Sequence, residues 1–504
     1  MKVLFVTSEV YPLAKTGGLA DVSRALPIAL AKVGIDVRLL MPAYPSALAQ
    51  LGKARVAMEF EDILDISGGR LIASHLPGSD IPIWLVDAPS LFNRAGGPYQ
   101  DPSGDDWPDN AERFAFLSHV AAEIATGVPQ LAWKPDVVHA NDWHTGLLPL
   151  LLRSSGKEVP PTVFTIHNIA FQGNFPSHVF DKIGVPASSF TPDGLEFYGQ
   201  VSFLKSGIRY SDRITTVSPT YAQEVMTPQF GCGMEGLLRD RADAFHGIMN
   251  GAEYDLWDPI ADPHLPVIYG HKNAAVRKKT CKAELQRELG LPALPDVPLI
   301  AFSSRLTEQK MADIVLESLP WISSQGAQFA MVAQGERTFE AGFAAAGQKD
   351  PHAIAIHVGY EERLAHRLLA GADILLAPSR YEPCGLIQLY AMRYGTLPVV
   401  RRTGGLADTV IDTRRQTVAD RTATGFQFEH ATAGDLTEAV SRALDFFEEP
   451  LVWRRVQGQA MAADFGWDSS ASKYYSLYAE VSGITEPLDP TLDVDASEEA
   501  LAQA

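Results

Sequence analysis

Several short clusters in the 504-residue sequence combine residue types that could do chemistry. The most informative is Tyr381-Glu382-Pro383-Cys384-Gly385-Leu386, which sets a carboxylate after a strand and loop and ahead of a helix. Pro383 fixes the backbone there, and Gly385 permits close approach of a ligand. Glu382 has three readings: it stabilises developing positive charge, acts as a base, or caps the helix. Without context the pattern fits a cap best. Ser304-Arg305-Leu306-Thr307-Glu308-Gln309-Lys310 also follows a strand, so Arg305 and Lys310 stand where open α/β sheets bind ligands. Two cations there could neutralise a pyrophosphate; a solvated basic loop is the competing reading.

Lys15-Thr16-Gly17-Gly18 enters a helix. Backbone N–H groups and the helix dipole, with the Lys15 ammonium, would make a phosphate cradle. The motif is neither a Walker A loop nor GxGxxG. His139-Ala140-Asn141-Asp142-Trp143-His144 and Ile166-His167-Asn168 leave strand ends as well. With no HExxH and no third ligand in view, zinc is disfavoured. A mixture of His, Asn, Asp and Trp suits hydrogen bonding to sugar hydroxyls; local capping around a packed Trp is the alternative.

The elements that must position these residues form an open parallel α/β pattern. Strands are expected over 3–6, 37–41, 136–140, 162–166 and 213–217. A second set covers 299–303, 329–333, 353–358, 374–377 and 397–400. Leu19, Val22, Leu26, Ala29, Leu30 and Val33 recur at helical spacing, closed by Gly34, with Pro27 expected to bend the helix. Between the halves, 254–269 is rich in Pro, Asp and His, and the boundary falls near Asn250-Gly251. A last helix over 467–480 is expected to pack back on the first half. Thr16-Gly17-Gly18-Leu19-Ala20-Asp21 recurs letter for letter as Thr403-Gly404-Gly405-Leu406-Ala407-Asp408. Two similar open-sheet domains with facing glycine turns is the natural reading, although a glycine pair permits tight turns anywhere.

The net charge of -19 argues against nucleic acid or an anionic membrane surface as the main partner. Three scattered cysteines, Cys232, Cys281 and Cys384, form neither a disulfide framework nor a zinc site. The N-terminal apolar run is short and ends at Glu9, and no stretch reaches membrane-span length. The expected location is the cytoplasm.

Taken together, the motifs resemble those of bacterial glycogen synthases and plant starch synthases, along nearly the whole chain to about Glu480. They are Lys15 to Asp21, Pro108-Asp109-Asn110, His139 to Trp143, His167-Asn168-Ile169-Ala170-Phe171-Gln172-Gly173, Ser304 to Lys310, Glu382 to Tyr390, and Arg402 to Val410. The resemblance implies an α/β fold of GT-B architecture: two Rossmann-like domains facing across a deep cleft that holds the active site. Residues 1–250 would form the acceptor-side domain, joined by the helix 467–482. Residues 251–466 would form the nucleotide-sugar side, and 483–504 a disordered acidic tail.

The implied reaction is retaining transfer of glucose from ADP-glucose to the non-reducing end of an α-1,4-glucan such as glycogen. By similarity, Lys15, Gly17 and Gly18 meet the donor phosphates, and Arg305 and Lys310 neutralise the leaving diphosphate. His167, Asn250, Glu382, Cys384 and Gly385 surround the transferred glucose, with Asp21 and Asp142 beside them. Glu382, His167, Arg305 and Lys310 would be catalytic, while Thr403 and Gly404 add to the donor site. Tyr99, with Asp142, falls on the acceptor side. Related retaining enzymes often carry a second Glu where this chain has Tyr390. Two departures bear on the donor: Met311 replaces the usual Gly, and Gln334-Gly335-Glu336 replaces a richer glycine turn. The one DxD is Asp493-Val494-Asp495 in the acidic segment, so no metal and no cofactor is expected. Competing readings are UDP-glucose or another acceptor, an epimerase or phosphorylase, and a non-enzymatic glucan-binding protein. The four residues Lys15, Arg305, Lys310 and Glu382 argue against the last, since binding glucan needs no diphosphate site.

Overall fold

The computed structural model describes residues 1–484. The chain divides into two compact units, residues 1–251 with the segment beginning at Trp467, and residues 252–466. The expected acidic tail lies, from residue 485 onward, outside the described residues.

The first unit opens with strands β1 (Lys2–Val6), β2 (Asp36–Pro42), β3 (Arg55–Glu59), β4 (Arg70–His75), β5 (Pro82–Asp87), β6 (Val137–Asn141) and β7 (Thr162–Ile166). A small three-stranded sheet follows, β8 (Asn174–Pro176), β9 (Glu196–Phe197) and β10 (Gln200–Ser202), then β11 (Arg213–Thr216) and β12 (Phe245–Gly247). The main sheet runs β12-β11-β7-β6-β1-β2-β5-β4-β3. It is parallel from β12 to β5 and antiparallel where β4 and β3 extend it. β6 and β7 are buried throughout. Parallel strands covered on both faces need such unbroken runs, which is why the sequence displays them. The β3–β5 extension has no counterpart in the sequence reading. β3 is mostly exposed and so lacks an apolar run.

The helix Trp467–Ser482 belongs to the first unit and buries Tyr474, Leu477 and Tyr478. A buried polar chain pins it to the sheet. Tyr478 Oη lies 2.6 Å from His139 Nδ1, and His139 Nε2 lies 2.6 Å from Thr165 Oγ1. Thr165 and Thr215 hydroxyls then meet at 2.5 Å, and Thr215 reaches Tyr474 Oη at 3.5 Å. Burial pushes His139 down to about 3, so its ring is neutral, with one nitrogen donating and the other accepting. Pro27 lies inside the continuous helix Gly18–Lys32.

The second unit holds β13 (Leu299–Phe302), β14 (Arg305–Leu306), β15 (Gln328–Gly335), β16 (Ile354–Val358), β17 (Ile374–Ala377), β18 (Leu397–Arg401) and β19 (Phe426–Phe428). All pair in parallel, in the order β14-β15-β13-β17-β18-β19, with β16 also on β15. The stretch 254–269 clasps this unit. Trp257 is sandwiched between His366 at 3.7 Å and Tyr390 at 4.6 Å, both rings nearly parallel to it. Asp262 accepts from His366 Nδ1 at 2.8 Å and Tyr394 Oη at 2.5 Å. Burial alone would raise the Asp262 carboxyl, but these hydrogen bonds hold it below the usual range.

In each unit the motifs leave the carboxyl ends of parallel strands, where open sheets present ligand sites. Glu9 follows β1, Asp142 follows β6, His167 follows β7 and Asn250 follows β12; Lys310, Glu382 and Thr403 follow β13–β14, β17 and β18.

Candidate active site

In the second unit Glu382 is buried, 8% exposed. Its carboxylate accepts from the Lys310 ammonium and from Ser379 Oγ at 2.8 Å. The helix Ile387–Arg393 is capped at Leu386, so Glu382 is not its cap. The Lys310 loop is fastened to the Glu382 loop. Arg380 grips Asp313 with two bonds of 2.9 and 2.6 Å, Arg380 N donates to Gln309 O at 2.8 Å, and Gln309 Nε2 donates to Tyr381 O at 3.2 Å. Such bidentate contacts fix geometry as well as adding energy. Arg305 is exposed, and its side chain makes no hydrogen bond or ion pair among the described residues. Its charge is thus open to a ligand.

Met311 stands at φ 53, ψ 36, the left-handed region. Glycine enters it freely and other residues at a cost of about 1–2 kcal/mol. That explains the glycine expected at this place. Here the fully buried Met311 side chain joins the second unit's core, and its burial offsets the strain. Gly335, the glycine that remains in the altered turn, pairs with Leu306, whose carbonyl oxygen would lie 2.4 Å from an added Cβ. Cys384 is buried, Gly385 has φ 73, and the Thr403-Gly404-Gly405 turn lies directly on the Glu382–Cys384 backbone. Gly405 N donates to Glu382 O at 3.1 Å. Tyr390 is packed against Trp257 and brings no second carboxylate.

In the first unit Lys15 Nζ contacts Asp21 Oδ1 at 2.7 Å, and Gly17 precedes the helix that starts at Gly18. The cradle differs from expectation. The Thr16 N–H, and more weakly the Gly17 N–H at 3.4 Å, are taken by Glu9 Oε2, leaving the helix N–H groups from Gly18 onward for an anion. Tyr99 is half-buried, donates to Glu9 Oε1 at 2.5 Å and stacks on His144 at 4.5 Å. His144 stacks in turn on Trp143 at 3.9 Å. Asp142, at φ 61, lies in this turn. Burial pushes its carboxyl up to about 8 against backbone N–H groups of Trp143 and His167, and the Glu9 charge adds to the rise. Asn141 Nδ2 donates to Val6 O, which aims Asn141 Oδ1 at His167 Nε2, 3.0 Å away. Nε2 therefore carries the proton and Nδ1 is left as an acceptor. Burial lowers His167 to about 3, so it is neutral at physiological pH. Asn250 is buried after β12, beside Met249, whose carbonyl takes the Ser470 hydroxyl at 2.5 Å.

The structure thus groups Arg305, Lys310, Glu382, Cys384, Gly385, Thr403 and Gly404 on one unit, and Lys15, Gly17, Gly18, Asp21, Tyr99, Asp142, His167 and Asn250 on the other. Sequence reasoning gave no role to Glu9 or Ser379, and placed Asn141 only within the His, Asn, Asp and Trp mixture suited to sugar hydroxyls. Asn141 stood inside a quoted motif; Ser379 and Glu9 carried no signal of their own. Among the described residues, no three His, Cys, Asp or Glu side chains are grouped to hold a metal ion.

Sequence models match two parts of the chain: the starch synthase catalytic domain over residues 2–240 and glycosyl transferases group 1 over residues 297–445. The glycogen synthase of Paramagnetospirillum magneticum is 52% identical over 486 residues, covering 96% of this chain and 98% of that one. That of Burkholderia thailandensis is 51% identical over 504 residues, 99% of this chain and 93% of its own. Among solved structures, the catalytic domain of starch synthase IV from Arabidopsis thaliana, bound to ADP and acarbose, has a TM-score of 0.85 at 29% identity. The match covers 96% of this chain and 99% of that one. Its two parallel-sheet units are of the GT-B type, and by full-length identity the chain belongs to the glycogen synthase family of glycosyltransferases.

Proposed function

We propose that the chain transfers glucose from ADP-glucose, with retention at the anomeric carbon, to the 4-hydroxyl at the non-reducing end of an α-1,4-glucan. The observation that carries this reading is Glu382, a buried carboxylate held by Lys310 and Ser379 on the strand-end edge that also bears the open Arg305. As the bond from the anomeric carbon to the diphosphate breaks, positive charge grows on the sugar and negative charge on the leaving group. Glu382 meets the first; Arg305 and Lys310 meet the second. The acceptor oxygen bonds to the anomeric carbon, and its proton leaves on the departing phosphate. Lys15, Gly17 and Gly18 hold donor phosphates, with Thr403 and Gly404 completing the donor contacts. His167 offers Nδ1 to a sugar hydroxyl, and Asp21, Asn250, Cys384 and Gly385 line the glucose. Tyr99 and Asp142 serve the acceptor. The ADP bound in the plant starch synthase supports an adenine-nucleotide donor.

Met311 and the 334–336 turn motivate a second reading, UDP-glucose as donor. No described helix is long and apolar enough to cross a membrane, and we place the reaction in the cytoplasm. The test is incorporation of labelled glucose into glycogen from ADP-glucose and UDP-glucose side by side, in excess EDTA. The expected outcome is incorporation from ADP-glucose, unchanged by the chelator. Preference for UDP-glucose would favour the second reading, and loss restored by magnesium would overturn metal independence.

A further inference from the structure

Glu9 is 3% exposed and makes no ion pair among the described residues, an expensive way to keep a carboxylate. Its surroundings explain why a carboxylate stands there. Oε2 faces the N–H groups of Thr16 and Gly17, and Oε1 faces the Tyr99 hydroxyl. The Tyr99 hydrogen is spent on Glu9, so the Ser8 hydroxyl, 2.7 Å from Tyr99 Oη, donates to it. Every partner of the Glu9 carboxylate is therefore a donor, and its two accepting oxygens satisfy both ends at once. Gln would keep one oxygen for the loop and turn an NH₂ toward Tyr99. Beyond Tyr99 the connection continues through stacked His144 and Trp143 to Asp142.

We propose that Glu9 is a positioning residue that couples the Lys15–Gly18 loop to Tyr99, so that an acceptor-side group sets the placement of the donor loop. This rests on the reading above of the loop as donor-side and Tyr99 as acceptor-side. By holding Thr16 and Gly17, Glu9 fixes which helix N–H groups point outward. Tyr99, through its hydroxyl, fixes Glu9. Loss of that single hydroxyl then reaches a ligand that Tyr99 is not assigned to touch.

The test is ADP binding by titration calorimetry on the whole protein, for wild type, Tyr99→Phe, Glu9→Gln and the double variant, with thermal melts of each. Tyr99→Phe is expected to weaken ADP about 5-fold and Glu9→Gln about 10-fold. The double variant is expected to be no weaker than Glu9→Gln alone, with melting temperatures close to wild type. Wild-type ADP affinity in Tyr99→Phe, or losses that multiply in the double variant, would overturn the coupling. Should Glu9→Gln fail to fold, Tyr99→Phe, which removes one hydroxyl, decides the matter alone. A wild-type protein that binds no ADP would overturn the donor reading and the coupling with it.

Discussion

Residues 16–21 and 403–408 share one hexapeptide, yet its glycines meet unlike surroundings. In the first copy a Cβ added at Gly17 or Gly18 would meet nothing within 4 Å. In the second, a Cβ at Gly404 would lie 1.9 Å from Glu382 O, and one at Gly405 2.1 Å from Cys384 O. Gly404 also has φ 43. Nothing inside the protein requires glycine in the first copy, where the space beside the backbone is open. The other keeps it because the backbone carrying Glu382 already occupies the space. The same six letters thus stand beside open space in one unit and against packed backbone in the other. Charge follows the same division: Glu382 has an ammonium partner, whereas Asp142 has backbone N–H groups and no ion pair among the described residues.

The largest effect should come from Gly405→Ala. The colliding atom is backbone, so the turn must move and the Gly405 N to Glu382 O bond is lost. A destabilisation of roughly 4 kcal/mol is expected, with loss of transfer. A denaturant midpoint equal to wild type would refute the packing reading.

The next concerns Asp142. Its folded pKa of about 8 lies above the unfolded value near 3.9. Its contribution is therefore intact below about pH 4 and is lost as pH rises toward about 8, where the unfolded chain alone has already ionised. Asp142→Asn should flatten this decline when urea midpoints are compared at pH 5, 6.5 and 8. Parallel wild-type and variant profiles would mean Asp142 is charged in the fold.

The smallest effect on stability is expected for Gly18→Ala, which adds a methyl group to open space at a helix start. Stability should hold or rise by about 0.4–1 kcal/mol. The KM for ADP-glucose should nevertheless increase several-fold. An unchanged KM would remove the first copy from the donor site.

Much of this was legible in the sequence, unevenly. Most buried parallel strands announce themselves because both faces are covered, although β5, buried and parallel to β2, does not stand out, and the repeated glycine pair marks both turns. The edge strand β3 is mostly exposed and does not announce itself. Glu9 looks like the charge that ends an apolar run, because its partners lie seven and ninety positions away. Ser379 is an ordinary loop serine until the fold puts it on Glu382. Met311 was visible only as a departure from a resemblance; the left-handed backbone beneath it gives that departure a physical meaning. Local patterns reveal elements, while contacts across long separations reveal the site.

The account turns on Glu382 as the group that meets charge developing on the transferred glucose. Steady-state kinetics of Glu382→Gln with ADP-glucose and glycogen, paired with a thermal melt and intact-protein mass spectrometry, addresses it most directly. An interaction made only in the transition state lowers kcat without a matching rise in KM. The predicted result is a normally folded variant with near wild-type KM for ADP-glucose and a kcat reduced about 10²-fold or more. Intact turnover with a clearly lowered melting temperature would assign Glu382 to structure, and a glucosyl adduct on the protein would replace charge stabilisation with double displacement.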